Sequence, residues 1–160
     1  MKKIILLIII TVLVTGCLGK DKYNIDICSQ ISDQSASGYK VSTNYEIYSK
    51  NGIVDKVVIS DVVDSKDKNI LNFFKLQYEN QYRNLNDKYG GYTYKVKIKN
   101  NKVISDVTIN YKKFNMKSFV KDNKAMEVYI NDDKRITLEG IKKMYSNIGA
   151  SCKQSEKKAR

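Results

Sequence analysis

The chain contains no histidine, no proline and no tryptophan. The first absence carries chemical weight. Without an imidazole there is no Ser-His-Asp triad, no Cys-His dyad and no ordinary catalytic zinc site, and the commonest general base is missing. The other two absences, beside abundant lysine, asparagine and isoleucine, read as AT-rich codon usage and point to no activity. Cysteine is scarce, with three in the chain. So few thiols without a histidine do not close a tetrahedral zinc shell, and neither a metal nor another cofactor is expected. Long apolar runs are also lacking. The run at the N-terminus falls short of the roughly 20 residues that a helix needs to cross a bilayer.

That short run is nonetheless informative. Met1-Lys2-Lys3 makes a positive head, residues 4–14 an apolar core broken only by Thr11, and Val14-Thr15-Gly16-Cys17 a box of small residues ending in cysteine. Head, short core and small residues are the anatomy of a secretory signal. The closing Gly-Cys pair fits the type in which the cysteine sulfur receives a diacylglycerol and the cysteine becomes the new N-terminus. The expectation is a signal peptide over 1–16, lipidation of Cys17, and a domain held to the membrane at the outer face of the cytoplasmic membrane. Two or three acyl chains anchor far more firmly than one.

The residues after Gly16 suffice for one domain with its own core and are too few for two. Net charge is +12 at pH 7, from 29 basic against 17 acidic residues, and cleavage would remove only Lys2 and Lys3. Anionic head groups draw a tethered basic domain by about 1 kcal/mol per lysine close to the surface. An anionic envelope polymer, a lipid or an envelope protein are the partners this charge suits. Nucleic acid is not expected, since the address lies outside the cytoplasm and no recognition motif is present. Cys28 and Cys152 stand near the two ends of the folded part, in a compartment where thiols oxidise. The reading favours a disulfide between them over two free thiols. Closing a loop of about 120 residues contributes about 5 kcal/mol by chain entropy, and would staple the start of the domain to its last helix.

Along the chain, 17–38 reads as lipidated N-terminus, tether and lead-in, 39–152 as a single α+β domain, and 153–160 as a charged flexible tail. Residues 39–49 (YKVSTNYEIYS) alternate, with Val41, Thr43, Tyr45 and Ile47 on one face. Lys50-Asn51-Gly52 predicts a tight hairpin, and residues 53–63 (IVDKVVISDVV) the returning strand, with Val57 and Ile59 in phase. Asp64-Ser65 offers an N-cap to a helix over about 66–88. There Ile70, Leu71, Phe74, Tyr78, Tyr82 and Leu85 recur at three- and four-residue steps, which buries one face, and Gly90-Gly91 ends the helix. A second hairpin follows over 92–111, turning at Asn100-Asn101, then a short helix over 115–122. GIVDKVVIS from Gly52 aligns with KVISDVTIN from Lys102, so a duplicated β-β-α unit is expected. Residues 125–131 read as an edge strand. Thr137 caps a last helix with Leu138, Ile141, Tyr145 and Ile148 on one side, stopped by Gly149. The economical packing is a two-layer sandwich, an antiparallel sheet of four or five strands backed by two helices. The other sheet face would be open, polar and basic, carrying Lys56, Ser60, Lys95, Lys97, Lys99 and Thr108.

The order of elements resembles the YehR-like family of small bacterial lipoproteins, a domain of unknown function. The resembling stretches are TNYEIYSKNGIVDKVVIS, then GYTYKVKIKNNKVISDVTINYKKFNMKSF after the long helix, and ITLEGIKKMYSNIG. The resemblance implies a lipid-anchored two-layer α/β domain and brings no reaction or ligand, so no functional residue is carried over.

Carboxylates are the remaining candidates for acid–base work, in two groups: Asp61, Asp64 and Asp67 where a strand becomes a helix, and Asp132 and Asp133 in a turn. Capping and solvation explain both groups, and neither makes a calcium loop. The sequence therefore points to a non-enzymatic binding or accessory module of the envelope working through its basic sheet face. A carboxylate-dependent enzyme acting on wall glycan stands as the alternative. A deep apolar cavity between helices and sheet would instead indicate a lipid or small-ligand carrier.

Overall fold

Two pairs of residues with positive φ set the sheet. Asn51 and Gly52 (52° and 75°) reverse the chain at one place, and Asn100 and Asn101 (51° and 56°) at another. Both are two-residue turns whose twist matches that of paired strands. The computed structural model describes residues 23–155. It contains six strands: β1 (Asn24–Gln34), β2 (Tyr39–Lys50), β3 (Ile53–Ser65), β4 (Tyr92–Lys99), β5 (Lys102–Asn110) and β6 (Ser151–Gln154). Three α-helices accompany them, α1 (Lys68–Tyr89), α2 (Met116–Asp122) and α3 (Leu138–Asn147), with 3-10 segments at Ser35–Ser37 and Lys124–Tyr129. The strands form one antiparallel sheet in the order β4-β5-β3-β2-β1-β6.

The β3–β5 register places Val58 opposite Thr108, with Val57 opposite Ile109 and Ile59 opposite Val107. Val58 and Thr108 are equivalents in the internal sequence alignment, and the two flanking pairs exchange under it. The hairpins β2–β3 and β4–β5 thus meet about a local twofold centred on that pair.

All three helices lie on one face of the sheet. Tyr45, Ile47, Val57, Val107 and Ile109 point into a core with Ile141 and Tyr145 of α3, Tyr82 and Tyr89 of α1, and Phe114 beside α2. A smaller cluster of Val63, Leu71 and Val103 continues it under the start of α1. α1 runs over β4, β5 and β3, while α3 sits towards β6 and stacks Tyr145 on Tyr45 of β2. The two long helices therefore cover opposite halves of the sheet. Among the described residues, no helix is long and apolar enough to cross a membrane.

The sheet is wider than the sequence pattern indicates, and the reasons are local. β1 falls within the stretch read as tether and lead-in. Its inward positions are Asp26, Cys28 and Gln30, while its isoleucines, Ile31 at 67 % exposure among them, face the other side. β6 is four residues long and takes in part of the stretch read as a loose tail. Residues 124–129 coil into a 3-10 segment instead of an edge strand, and Ile130 alone makes a bridge, to Ile136. The strand β3 runs on to Ser65, so the N-cap of α1 is Asp67, whose side chain accepts from the Asn69 amide. Ile148 closes α3 as its C-cap and is exposed, outside the buried stripe. Cys17, the expected signal peptide and the last residues of the tail lie outside the described residues.

Candidate ligand-binding cavity

The inward face of the sheet carries large rings: Tyr45 on β2, Tyr92 on β4, and Tyr111 just beyond β5. From above, α1 lowers Tyr78, Tyr82 and Leu85, successive members of one helical stripe. Phe119 of α2, Met126 of the second 3-10 segment and Met144 and Tyr145 of α3 complete the wall. With α1 and α3 covering different halves of the sheet, these side chains leave a cavity of about 350 Å³ between the layers. That falls in the range of small-molecule sites. Tyr45 and Tyr145 stack with ring centroids 4.0 Å apart, Tyr82 lies 6.4 Å from Tyr92, and Phe114 packs on Tyr92 and Tyr111. Gln81 lines the cavity and is exposed, which marks the rim.

Asp61 is the only carboxylate among the described lining residues, and no lysine or arginine is among them. Strand alternation puts it there: Val57, Ile59, Asp61 and Val63 share the inward face of β3. The register sets Thr43 of β2 and Ser105 of β5 on either side of it. Thr43 Oγ1 donates to Asp61 Oδ1 at 2.7 Å, and the Tyr82 hydroxyl donates to Oδ2 at 3.1 Å. Ser105 Oγ is wholly buried and has no partner within hydrogen-bonding geometry. Burial pushes the Asp61 carboxyl above the ordinary carboxylate range, against the downward pull of the two hydrogen bonds. Burial also raises the Tyr78 and Tyr82 hydroxyls, helped by the charge on Asp61, and takes Tyr92 up to about 12. The phenols of the wall are therefore protonated at neutral pH.

The other buried carboxylates are handled differently. Asp26, 3 % exposed, holds the Lys142 ammonium of α3 at 2.9 Å. Asp55, 7 % exposed, holds Lys112 and Arg135, each at 2.9 Å, and accepts from the Tyr23 hydroxyl. Asp61, 6 % exposed, has no such cation among the described residues.

The lysines singled out from sequence all lie on the open face of the sheet. Lys95, Lys97 and Lys99 alternate with Tyr94, Val96 and Ile98 along β4, an edge strand. Charges along an edge discourage pairing with another chain. Lys56 is central, its ammonium 3.8 Å from the centre of the Tyr48 ring. The face is not uniformly basic. Val58, Val62 and Ile104 occupy its middle, Ser60 donates to Asp106, and Lys102 pairs with Asp64. The aspartates do not gather: Asp61 points in, Asp64 points out, Asp67 caps α1, and Asp132 and Asp133 are exposed in a turn.

Cys28 and Cys152 are bonded to each other, as direct cross-strand partners of β1 and β6. The bridge ties β1 to the strand after the last helix rather than to the helix itself. One signal for the inward placement of Asp61 was present in the sequence. Asp61 keeps the two-residue phase of Val57 and Ile59 and so faces inward, provided the strand continues past it.

Fold and cavity together define a two-layer α+β domain with a ligand-sized space between sheet and helices. The NMR structure of the E. coli YehR protein is similar to this chain, with a TM-score of 0.53 and 15% sequence identity, over 88% of this chain and 96% of that one. The likeness is one of fold. No protein-family model and no curated protein matches the chain.

Proposed function

We propose that this chain is a lipid-anchored, extracytoplasmic binding module that holds a small, largely apolar ligand between its sheet and its helices. The cavity lined by tyrosine, phenylalanine and methionine carries this reading. Methionine and aromatic walls adapt to irregular apolar shapes, and the tyrosine hydroxyls orient whatever polar end the ligand has. The reading is one of binding rather than turnover, because Asp61 is the one carboxylate among the described lining residues and the chain has no histidine to pair with it as acid and base. The address rests on the positive head, short apolar core and Gly16-Cys17 box, which support Cys17 as the anchored residue. Its test is metabolic labelling with palmitate. Label on the wild-type chain and none on a Cys17→Ala chain is expected, and an unlabelled wild type sinks the anchor. For the cavity, the full chain is extracted in a mild detergent and examined by native mass spectrometry. A bound small molecule, lost when Tyr145→Trp fills the space, is expected. An empty wild-type chain whose melting temperature no amphiphile raises sinks the binding reading.

A further inference from the structure

We propose that the cavity takes an organic ammonium ion, with Asp61 as its counter-ion and the surrounding tyrosine rings as its cage; this rests on the binding reading above. The argument begins with a comparison inside the molecule. Three aspartates are buried to a similar degree, and two of them hold cationic side chains at 2.9 Å. Among the described residues, the third has only a threonine and a tyrosine hydroxyl. The chain does not lack cations, with 29 lysines and arginines, yet none is among the described residues that line this space. A carboxylate in an apolar enclosure without a cation is a costly arrangement unless something arrives to pair with it.

The walls specify what arrives. Tyr45, Tyr78, Tyr82, Tyr92 and Tyr145 surround the space, and the faces of aromatic rings attract weakly hydrated cations such as substituted ammonium groups. With Oδ1 and Oδ2 of Asp61 each accepting one hydrogen bond, the carboxylate is oriented and still has lone pairs to offer. Burial penalises the bare carboxylate charge, and an incoming cation relieves that cost by pairing with it. The ammonium could belong to a free solute or to a lipid head group, and the chemistry at Asp61 is the same for both.

The test uses the full chain in a detergent that carries no ammonium group, with calorimetry or the melting temperature as readout. The probes are choline, its uncharged carbon analogue 3,3-dimethylbutan-1-ol, and dihexanoylphosphatidylcholine below its micellar concentration. Choline or the short lipid binding at least tenfold more tightly than the uncharged analogue is expected, and whichever of the two is stronger identifies the source. In Asp61→Asn that preference for choline over the uncharged analogue should vanish. An uncharged analogue that binds the wild type as well as choline overturns the ammonium inference and leaves the cavity reading standing. A wild type that binds none of the three overturns the ammonium inference, while the cavity reading is judged separately by the native mass spectrum. The comparison of choline with its analogue needs only the wild-type chain, so it does not depend on the variant folding.

Discussion

A carboxylate held out of water without a cation makes the stability of the fold depend on pH, and Asp61 is placed to show this. Its folded-state pKa lies above the unfolded value of about 3.9. Between the two values the folded chain keeps a proton that the unfolded chain has lost, so stability falls as pH rises through this window. The groups that face the carboxylate are Thr43 and Tyr45 of β2, Ser105 of β5, and Tyr78 and Tyr82 of α1. The phenols among them titrate far higher. Asp33 and Asp122 behave in the opposite sense. Hydrogen bonds from Ser35 lower the first, and Lys88 and Tyr89 lower the second, so both favour the fold as pH rises. The difference between wild type and Asp61→Asn isolates the buried group. Asparagine keeps an oxygen for Thr43 or Tyr82 and carries no charge. The variant should match or exceed wild type in stability at neutral pH, and that advantage should shrink as pH falls towards about 4, read from urea midpoints. An advantage that does not vary with pH would mean that burial of the Asp61 charge costs the fold nothing.

Elements explain where the cavity wall gets its shape. Gly140 sits in the first turn of α3, where helix propensity alone favours alanine by about 1 kcal/mol. A Cβ at that position would overlap the Tyr129 carbonyl oxygen and crowd the Thr137 hydroxyl, which caps the same helix by accepting from the Gly140 amide. Backbone contact at that range outweighs propensity, so Gly140→Ala should lower stability by about 1–3 kcal/mol. It should also displace the 3-10 segment that carries Met126. Denaturant midpoints check the first effect, and amide exchange over 124–129 the second. A gain in stability would show that the close approach is soft. The same scale shows what the sequence could reveal. The stripe of α1 and both hairpins were legible, because three- and four-residue spacing and Asn-Gly or Asn-Asn turns are local signals. The strand β1 was not, because its isoleucines face the open side and polar Asp26 and Gln30 face the helices, an inverted pattern. Residues 125–131 alternate like a strand, yet 124–129 coil into a 3-10 segment and Ile130 alone makes a bridge, to Ile136. The cavity itself was beyond any local pattern, since it depends on α1 and α3 covering different halves of the sheet.

The described domain is closed by its first and last strands, β1 and β6. β6 has four residues, and β1 is the strand it pairs with. Hydrogen bonds over so short a strand do not fix its place against fraying. The Cys28–Cys152 bond does, and its sequence separation of 124 means that it constrains nearly the full length of the unfolded domain. Loop-closure entropy for that separation amounts to about 5 kcal/mol, comparable to the net stability of many single domains. Opening the bond need not dismantle the cavity. Ile141 is fully buried, Lys142 remains tied to Asp26, and Tyr145 remains stacked on Tyr45, so α3 has attachments of its own. Reduction, or paired substitution of Cys28 and Cys152 by serine, should therefore lower the unfolding free energy by several kcal/mol, up to about 5. Amide exchange should show β6 exposed while α3 stays protected. Equal denaturant midpoints with and without the bond would mean that the unfolded chain is already compact enough to hold its ends together. Loss of protection throughout α3 would place the cavity wall under the control of the disulfide.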